Sequence, residues 1–563
     1  MNPSPLRAMV ADIQLPEHLA EFYGDYCAKI KLAALNHFAE NTNHKRILVT
    51  ATNPTPMGEG KTVTSIGLSA ALNQLGVKAV ATLRQGSMGP LFGVKGGGAG
   101  GGKARILPTE ESMLHLSGDI HAIGQAHNQI SALIDHSLYQ KNTLDIDSTT
   151  INFPRVLDVN DRFLRDIEIG RDAKDPNCRY KTRFDITAAS ELMAIVALAN
   201  GHFEDEVISS VRTRLQNMVV AQTKSSKPIT VKDLRADGAA LVILKKALQP
   251  NLMRTADNTP VLLHMGPFAN IAHGCSSIIA DQVSKRLFEY SVTESGFGAD
   301  LGFEKYLNIK CRQDPTWPSC VVLVTTVRAM KYHSGQYKKM KAKELASALV
   351  EKNIEYLEQG AALLKHHIKV VKSYGLPLVV AINQFEDDQA EELNRLRDLA
   401  ISFGAENAVT HQGFLHGGHG VQDLAEAVLK VTRQTPEPVS VEHLYHLEDS
   451  IEQKIAKIAG RHYLAKGVEL SPLAQKQQLW LQENGFANLP ICIAKTPFSL
   501  SHDADAFGIP QNYTFPVDSL ELKAGAGFIV ARSGSIFTMP GLGAQPIAQW
   551  VSMNNKGDIL GLY

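Results

Sequence analysis

The stretch from Arg46 to Thr62 constrains the fold of this chain more than any other part of the sequence. Residues 47–49 are apolar, as in a buried parallel strand, and Pro54 ends that strand. From Thr62 onward, apolar residues recur with helical periodicity. The pattern predicts a strand, a glycine-containing loop and a helix, an arrangement in which backbone N–H groups converge on a bound anion.

The loop approaches the phosphate-binding pattern G-x-x-x-x-G-K-[ST], except that Thr55 stands where the first glycine belongs. Lys61 is expected to reach the outer phosphates of a nucleotide, and the Thr62 hydroxyl is expected to ligate Mg²⁺. We favour phosphate binding over an ordinary strand-to-helix connection because the strand, the glycines and the helix occur together. The candidate ATP-binding residues are Thr55, Pro56, Met57, Gly58, Glu59, Gly60, Lys61 and Thr62.

Length and composition bound the class of protein. The 563 residues are too many for one core and predict two to four domains. The 57 basic and 57 acidic residues balance, so neither nucleic acid nor an anionic membrane is an expected partner. No apolar run reaches the length of a bilayer, and the first residues lack the core of a signal peptide. The six cysteines form no C-x-x-C pair, and reduced thiols in the cytoplasm are the simplest interpretation.

A second predicted strand, residues 77–83, ends at Arg84. Ligands of open α/β sheets bind beyond the carboxyl ends of the strands, which would place Arg84 beside the phosphate loop. A guanidinium there could hold phosphoryl oxygens. The alternative is a surface arginine at a strand end, and these residues alone leave the two interpretations open.

Residues 93–103 form a glycine-rich segment that includes Lys95 and Lys103. Its composition is compatible with a flexible linker. We favour a loop that contacts a ligand, because the segment lies between strand-like stretches and glycine lets a backbone approach a ligand closely.

Three histidines recur every six residues at positions 115, 121 and 127. This spacing turns a helix by about 600°, so the three side chains fall on different faces and no metal site is expected. Asp119 stands just before this predicted helix, and we interpret it as an N-cap rather than as a functional acid.

Three apolar, β-branched runs end in polar or aromatic residues, at 264–270, 324–331 and 379–385. Strand ends of this kind present site residues in a doubly wound sheet. The predicted fold class is therefore α/β, with a P-loop NTPase-like, doubly wound and mostly parallel sheet, additional α/β domains and a β-rich C-terminal part.

Outside this region we predict a helical lead-in at residues 17–40 and a boundary at Pro436 and Pro438. Helices are expected at about 441–459 and 472–484. Short β-rich runs separated by glycine turns are expected over roughly the last 75 residues.

Several of these motifs resemble those of formate–tetrahydrofolate ligases. Residues 55–62 resemble the family's T-P-A-G-E-G-K-T, and residues 93–103 resemble its G-[IV]-K-G-G-A-A-G-G-G-Y. Residues 324–335 are similar to V-A-T-V-R-A-L-K-x-H-G-G. Further similar stretches, which extend the resemblance to nearly the whole chain, lie at 118–124, 292–302 and 538–542. The chain departs from the family pattern at Gln85, which replaces Glu, and at Gly98, Lys103 and Ser334.

The resemblance implies a homotetrameric, three-domain enzyme that joins formate to tetrahydrofolate with MgATP. Formate would be phosphorylated to formyl phosphate, and N10 of the folate would then attack the activated carbon. Lys61 and Arg84 are the implied catalytic residues, with Mg²⁺ near Thr62. Because Gln85 removes a carboxylate next to Arg84, the monovalent-cation activation common in the family is left open.

The resemblance also implies a folate site. Family members stack the pterin ring between a Phe at the end of V-A-I-N-x-F and a Trp in W-A-x-G-G-x-G. The matching residues are Phe385 and Phe414, so that Phe replaces the Trp. The alternative is that both are phenylalanines of the core.

We predict that residues 1–139 are the first part of a nucleotide-binding domain, 140–310 a second α/β domain, 311–360 a return to the first, and 361–563 a third domain with the folate-binding strand ends. The alternative function is a regulatory P-loop ATPase or GTPase, but the chain has neither an extra loop lysine nor an N-K-x-D guanine reader. A kinase that releases an acyl phosphate without using folate is the third candidate.

Overall fold

A computed structural model describes residues 4–93, 98–171, 178–338, 340, 342–435, 439 and 441–562. Lys95, Pro436 and Pro438 lie outside these residues. One sheet of twelve strands forms the centre of the molecule. The strand order is Ala20–Tyr23, Cys27–Ile30, Asn251–Thr255, Pro260–Leu263, Ala79–Leu83, Tyr290–Glu294, Lys45–Ala51, Cys320–Thr325, Leu378–Asn383 and Asn407–His411. Ala104–Leu107 also pairs with Asn251–Thr255, and Gly100–Gly101 pairs with Ala104–Leu107.

Seven consecutive strands of this sheet, from Pro260–Leu263 to Asn407–His411, are parallel. The remaining strands pair antiparallel. Every residue of Cys320–Thr325 and Leu378–Asn383 is buried, as expected for parallel strands that are covered on both faces. The predicted mostly parallel sheet is confirmed, and the three strand ends identified in the sequence share it with the strand Lys45–Ala51.

Helices cover both faces of the parallel part. Ile47 and Val49 belong to a core that includes apolar residues of the helices Lys61–Gln74 and Gln422–Gln434. Leu48 points to the other face and belongs to a core shared with the helix Ile354–Lys372. Alternate residues of one strand therefore contribute to two cores, which explains the apolar run at residues 47–49.

The other helices lie around this sheet and in the C-terminal part. They are Pro5–Asp12, Ala34–His37, Met88–Phe92, Thr109–Met113, Asp119–Tyr139, Glu191–Leu198, Glu204–Asn217, Asp237–Leu244, Ile278–Leu287, Cys311–Gln313, Val327–His333, Ala342–Val350, Ala390–Ser402, Gly413–His416, Ile451–Tyr463 and Pro472–Glu483. Two π-helical segments are Ala299–Phe303 and Tyr306–Lys310.

Small sheets complete the described structure. The C-terminal part holds a three-stranded sheet of Ile491–Ala494, Phe528–Arg532 and Ser519–Lys523. The two-stranded pairs are Arg155–Val156 with Phe184–Asp185, Ile167–Ile169 with Tyr180–Thr182, Val219–Gln222 with Pro228–Thr230, Gly467–Leu470 with Thr514–Val517, and Ser552–Met553 with Ile559–Leu560.

Two expectations about helices were wrong. Residues 17–40 are not a helical lead-in, because the hairpin Ala20–Tyr23 and Cys27–Ile30 adds two antiparallel strands to the sheet there. The helix expected from 441 begins at Ile451 instead, where Ser450 and Gln453 form a reciprocal capping box. The helix expected at 472–484 is present as Pro472–Glu483.

The central sheet takes strands from all four segments of the predicted domain division. That division, with boundaries after residues 139, 310 and 360, stays a prediction. Within the described ranges, no helix is long and apolar enough to cross a lipid bilayer.

Candidate functional site

The loop between the strand Lys45–Ala51 and the helix Lys61–Gln74 is built around two glycines with left-handed backbone. Gly58 has φ +77° and Gly60 has φ +78°. A Cβ atom on Gly60 would lie 2.3 Å from Nδ2 of Asn383, so a side chain there is excluded by conformation and by space. Gly60 is also the N-cap of the helix. It supplies no capping side chain, which leaves N–H groups of the first turn available to an anion.

Glu59 holds this loop together from inside. Its side chain is buried, with one carboxylate oxygen accepting from the Thr55 N–H at 2.8 Å and the other accepting from the Thr326 hydroxyl at 3.0 Å. Burial raises the pKa of Glu59, and the hydrogen bond from Thr55 opposes the shift. The sequence identified Glu59 only as a member of the loop, and its role as an internal brace was missed.

Lys61, Thr62 and Arg84 line one cavity of about 380 Å³ beyond the carboxyl ends of the strands. Burial lowers the pKa of Lys61, and the Glu294 carboxylate opposes that shift while Arg84 adds to it. The cavity therefore combines two cations, Lys61 and Arg84, with two acids, Glu59 and Glu294. Glu59, Gly60, Gln85, Gly98, Gly100, Phe268, Ala269 and Phe297 are among its other lining residues.

Arg84 follows the strand Ala79–Leu83 directly and reaches across to the next strand connection. Its Nη1 donates to the Pro267 carbonyl at 3.2 Å. Its Nε is buried and has no hydrogen-bond partner among the described residues. Arg84 is half-buried and is one of the residues that line the cavity, which favours the site interpretation over that of an exposed surface arginine.

Glu294 is the acid that sequence reasoning missed. It ends the strand Tyr290–Glu294, which pairs with the loop strand Lys45–Ala51, and it is 4% exposed. Its Oε2 accepts from the Thr62 hydroxyl at 3.0 Å. The only signal in the sequence is an acid at the end of a β-branched run, and nothing local indicates which neighbour it meets.

The pair Thr62 and Glu294 fits a hard divalent cation. A hydroxyl and a carboxylate are oxygen ligands of the kind Mg²⁺ takes, and Mg²⁺ is usually held by one or two carboxylates together with substrate phosphates. No group of three or more His, Cys, Asp or Glu side chains in the described ranges could hold a metal by itself. A cation here would therefore depend on the nucleotide for part of its coordination.

The described part of the glycine-rich segment is ordered by the sheet and by Phe414. Gly100–Gly101 pairs with Ala104–Leu107, and the Lys103 N–H donates to the Phe414 carbonyl at 2.8 Å. A Cβ atom on Gly102 would lie 2.1 Å from that carbonyl oxygen. Gly98 and Gly100 line the cavity, as expected of a loop that contacts a ligand, whereas Lys95 lies outside the described residues.

Phe385 and Phe414 follow the neighbouring strands Leu378–Asn383 and Asn407–His411. Phe385 is half-buried, and the Arg328 guanidinium lies 4.2 Å from the centre of its ring. Phe414 is 53% exposed, so it is not a core phenylalanine, and a Cβ atom on Gly101 would lie 3.0 Å from its ring. Neither Phe385 nor Phe414 is among the described residues that line the 380 Å³ cavity. The strands that precede them lie on one side of the cavity in the sheet order.

His127, on the helix Asp119–Tyr139, is buried and makes packing contacts. His127 stacks on Phe153 with ring centres 4.1 Å apart and bonds the Pro154 carbonyl. Asp119 is the first residue of the helix rather than its cap, so the N-cap interpretation was wrong. Its carboxylate pairs with Lys29 at 2.7 Å, and both side chains are buried.

Gln85 is buried beside Arg84. Its backbone N–H donates to the Met265 carbonyl at 2.8 Å, which ties two parallel strand ends together. Its side-chain Oε1 is buried without a hydrogen-bond partner in the part of the chain that the structure describes. Position 85 thus presents a neutral oxygen, and no carboxylate, next to the arginine.

Comparison with known proteins gives one consistent result. A family model described as formate–tetrahydrofolate ligase matches residues 1–563. A protein of that name from Herpetosiphon aurantiacus is 47% identical over 562 residues, covering 100% of this chain and 98% of the relative. Its namesake from Chloroflexus aggregans is 47% identical over 559 residues, with 99% and 98% covered. A third, from Desulforamulus reducens, is 44% identical over 559 residues, with 99% and 97% covered.

Proposed function

Because this chain belongs to the formate–tetrahydrofolate ligase family and so joins formate to tetrahydrofolate at the expense of ATP, we propose that the reaction takes place in the cavity beside residues 55–62. The observation that carries this proposal is the convergence of Lys61, Thr62, Arg84 and Glu294 on one cavity. These residues come from three adjacent strand ends, where open α/β sheets bind their ligands.

The proposed route passes through formyl phosphate. A formate oxygen attacks the γ-phosphorus of ATP, the bond from that phosphorus to ADP breaks, and formyl phosphate forms. N10 of tetrahydrofolate then attacks the formyl carbon, the bond to phosphate breaks, and the N10 proton is lost. Phosphoryl transfer of this kind depends mainly on positioning and on neutralising charge.

Lys61 and the helix N-terminus would hold the outer phosphates of ATP. The left-handed Gly60 leaves N–H groups of the first helical turn open towards the cavity side, and Lys61 adds a full positive charge there. The nearby Glu294 carboxylate favours the charged form of Lys61, and so it opposes the lowering of the Lys61 pKa by burial.

Thr62 and Glu294 would hold Mg²⁺ together with the phosphates. Their hydroxyl and carboxylate oxygens fit the cation, and they already lie 3.0 Å apart. When bound, Mg²⁺ neutralises charge on the β- and γ-phosphate oxygens. A monovalent cation would be coordinated by neutral oxygens such as Oε1 of Gln85. Measuring the turnover rate over a range of KCl concentrations decides whether this enzyme is activated by such a cation.

Arg84 would hold the oxygens of the acyl phosphate through both steps. Its planar guanidinium offers several donors, one of which is engaged by Pro267 while the buried Nε has no partner among the described residues. A buried donor without a partner carries a desolvation cost, and a hydrogen bond to a bound anion removes that cost. The arginine is therefore suited to stabilise a developing negative charge.

Phe385 and Phe414 would bind the pterin. Arg328 lies over the Phe385 ring at 4.2 Å, and the opposite face of that ring would stack on the pterin. Phe414 is exposed beside the glycine-rich segment and would supply a second aromatic surface just after the neighbouring strand. This arrangement supports a folate that enters from that side, with N10 reaching the cavity.

The wider expectations also belong to this proposal. We propose a P-loop NTPase-like relationship for the loop and its sheet, a homotetramer, and a cytoplasmic enzyme. The loop geometry at Gly58 and Gly60 supports the first. All six cysteines are free thiols and five are buried, which supports a reducing compartment. The domain division given above is kept in the same proposal.

The deciding experiment measures ADP release from MgATP with formate alone, with tetrahydrofolate alone and with both. Steady turnover is expected only with both substrates. Steady ADP release with formate alone would instead identify an acyl-phosphate kinase, and release that neither substrate changes would identify the alternative P-loop switch.

A further inference from the structure

Asn53 stands at the start of the phosphate loop and is fully buried. Its side-chain Nδ2 donates to Asp300 Oδ1 at 3.2 Å and to the Pro497 carbonyl at 3.0 Å. Its Oδ1 pairs with Nε2 of His367 at 2.9 Å, and its backbone carbonyl pairs with Nε2 of His333 at 3.0 Å. One asparagine is thus held by four segments that are far apart in the chain.

Both histidines are fixed in one tautomer by these contacts. Because each Nε2 meets a carbonyl oxygen of Asn53, each Nε2 must carry the hydrogen. Burial lowers the pKa of His333 to about 4 and that of His367 well below its usual value, so both rings are neutral near pH 7. They act as donors to Asn53 without adding positive charge beneath the loop.

Asp300 is held in place by a buried lysine from the C-terminal part. Lys495 Nζ donates to Asp300 Oδ2 at 2.8 Å and to the carbonyls of Thr496 and Ser499 at 3.0 and 2.6 Å. Both charged side chains are fully buried. A Cβ atom on Gly298 would lie 2.5 Å from Asp300 Oδ1, so this glycine also makes room for the carboxylate.

We propose that Asn53 is a positioning residue for nucleotide binding, and that the pair of Asp300 and Lys495 fixes the orientation of its amide. The pair cannot be explained as a source of stability alone, because burying two charges costs about as much as their attraction returns. Its geometric effect is specific. It sets which end of the Asn53 amide faces which partner, and so where the backbone leaves the strand to form the loop.

The inference rests on the proposed phosphate loop, and it adds that the C-terminal part takes part in ATP binding. Lys495 follows the strand Ile491–Ala494, which belongs to the small C-terminal sheet rather than to the central one. The series of contacts from Lys495 to Asp300 and from Asp300 to Asn53 connects that sheet to the loop, and all three side chains are buried.

The test compares Asn53→Ala with Asn308→Ala in the full chain, using calorimetric titration of MgADP. Asn308 is an equally buried asparagine whose amide bonds Glu304 and the Leu444 N–H, away from the loop. We expect Asn53→Ala to weaken MgADP binding at least about tenfold and Asn308→Ala to leave it within about twofold. Wild-type affinity in a folded Asn53→Ala protein overturns the inference, as does equal weakening by both variants.

A second comparison applies whether or not Asn53→Ala folds. His367→Gln keeps a donor that can reach the Asn53 carbonyl oxygen, whereas His367→Leu removes it. His367→Gln should bind MgADP more tightly than His367→Leu, and equal affinities of the two variants would overturn the proposal.

Lys61→Ala separates this inference from the proposed function. If that variant keeps full MgADP affinity, the phosphate loop itself is wrong, whereas loss of affinity in Lys61→Ala with wild-type binding in Asn53→Ala overturns the positioning role alone.

Discussion

The Thr62 hydroxyl donates to the Glu294 carboxylate at 3.0 Å, which joins the first turn of one helix to the end of a strand 232 residues later in the chain. The contact couples the residue expected to meet Mg²⁺ with an acid that lines the cavity beside it. Glu294→Gln should lower kcat by at least about 10² and raise the Mg²⁺ concentration needed for half-maximal turnover, because a neutral amide is a weaker ligand.

Initial rates over a range of Mg²⁺ concentrations measure this effect, with Glu289→Gln as the control. Glu289 is exposed and lies just before the same strand. If Glu294→Gln showed wild-type Mg²⁺ dependence, this carboxylate would have no part in holding the cation.

Lys61→Ala should abolish turnover while the fold is kept. Loss of the charge at the transferred phosphoryl group removes an interaction that is stronger in the transition state, so kcat should fall by at least about 10². Lys78→Ala is the matched control, since Lys78 is exposed and lies beyond the end of the same helix. Turnover within a few-fold of the wild type would disprove the phosphate-loop assignment.

Arg84→Lys should also be a poor enzyme. A lysine ammonium is a point charge and cannot reproduce the planar, bidentate hold of a guanidinium on an acyl phosphate. Steady-state kinetics of this variant and of Arg105→Lys, an exposed arginine of the strand Ala104–Leu107, separate the two roles. Near-full activity of Arg84→Lys would assign Arg84 a structural role only.

Phe385→Ala should raise the KM for tetrahydrofolate by about 5- to 150-fold, with the constants for ATP and formate nearly unchanged. The range follows from about 1–3 kcal/mol for stacking a ring on an aromatic side chain. Phe414→Trp should keep or lower the same KM, since a larger ring offers more stacking surface. Equal weakening of all three substrates in Phe385→Ala would indicate a packing role, and a severe loss in Phe414→Trp would reject the alignment at that position.

Glu304 should make stability depend on pH. Its side chain is fully buried, Asn308 donates to Oε1 at 2.9 Å, and Oε2 has no hydrogen-bond partner within the described ranges. Burial raises the pKa of Glu304 from 4.5 to about 7. The folded state therefore holds the Glu304 proton more tightly than the unfolded state does. The stability that the protonated Glu304 contributes is complete below pH 4.5 and is lost as pH rises to about 7.

Glu304→Gln should remove this dependence. Between pH 5 and pH 8 the free energy of unfolding of the wild type should fall relative to that of the variant by as much as about 3 kcal/mol, following the size of the pKa shift. Denaturant unfolding of both proteins at the two pH values measures the difference. A constant difference would show that Glu304 has the same pKa in the folded and unfolded states.

Local patterns predicted the strand, the loop and the helix that carry Lys61, because apolar periodicity and glycine placement act over a few residues. The partners of that loop could not be predicted in this way. Glu294 and Thr326 come from strand ends more than 200 residues away, and only the sheet order brings them to the loop. The hairpin within residues 17–40 was missed for a similar reason, since its strand Cys27–Ile30 pairs with Asn251–Thr255, a partner more than 200 residues away in the sequence.

The position of Lys45–Ala51 in the sheet also determines when a growing chain can complete its nucleotide site. Both neighbours of this strand come much later in the chain, at Tyr290–Glu294 and Cys320–Thr325. At about 5–20 residues per second, the ribosome needs roughly 14–55 s to go from residue 51 to residue 325. During that time a strand whose residues 46–51 are buried in the finished protein has neither edge paired, which exposes the emerging chain to aggregation until its last neighbour is made.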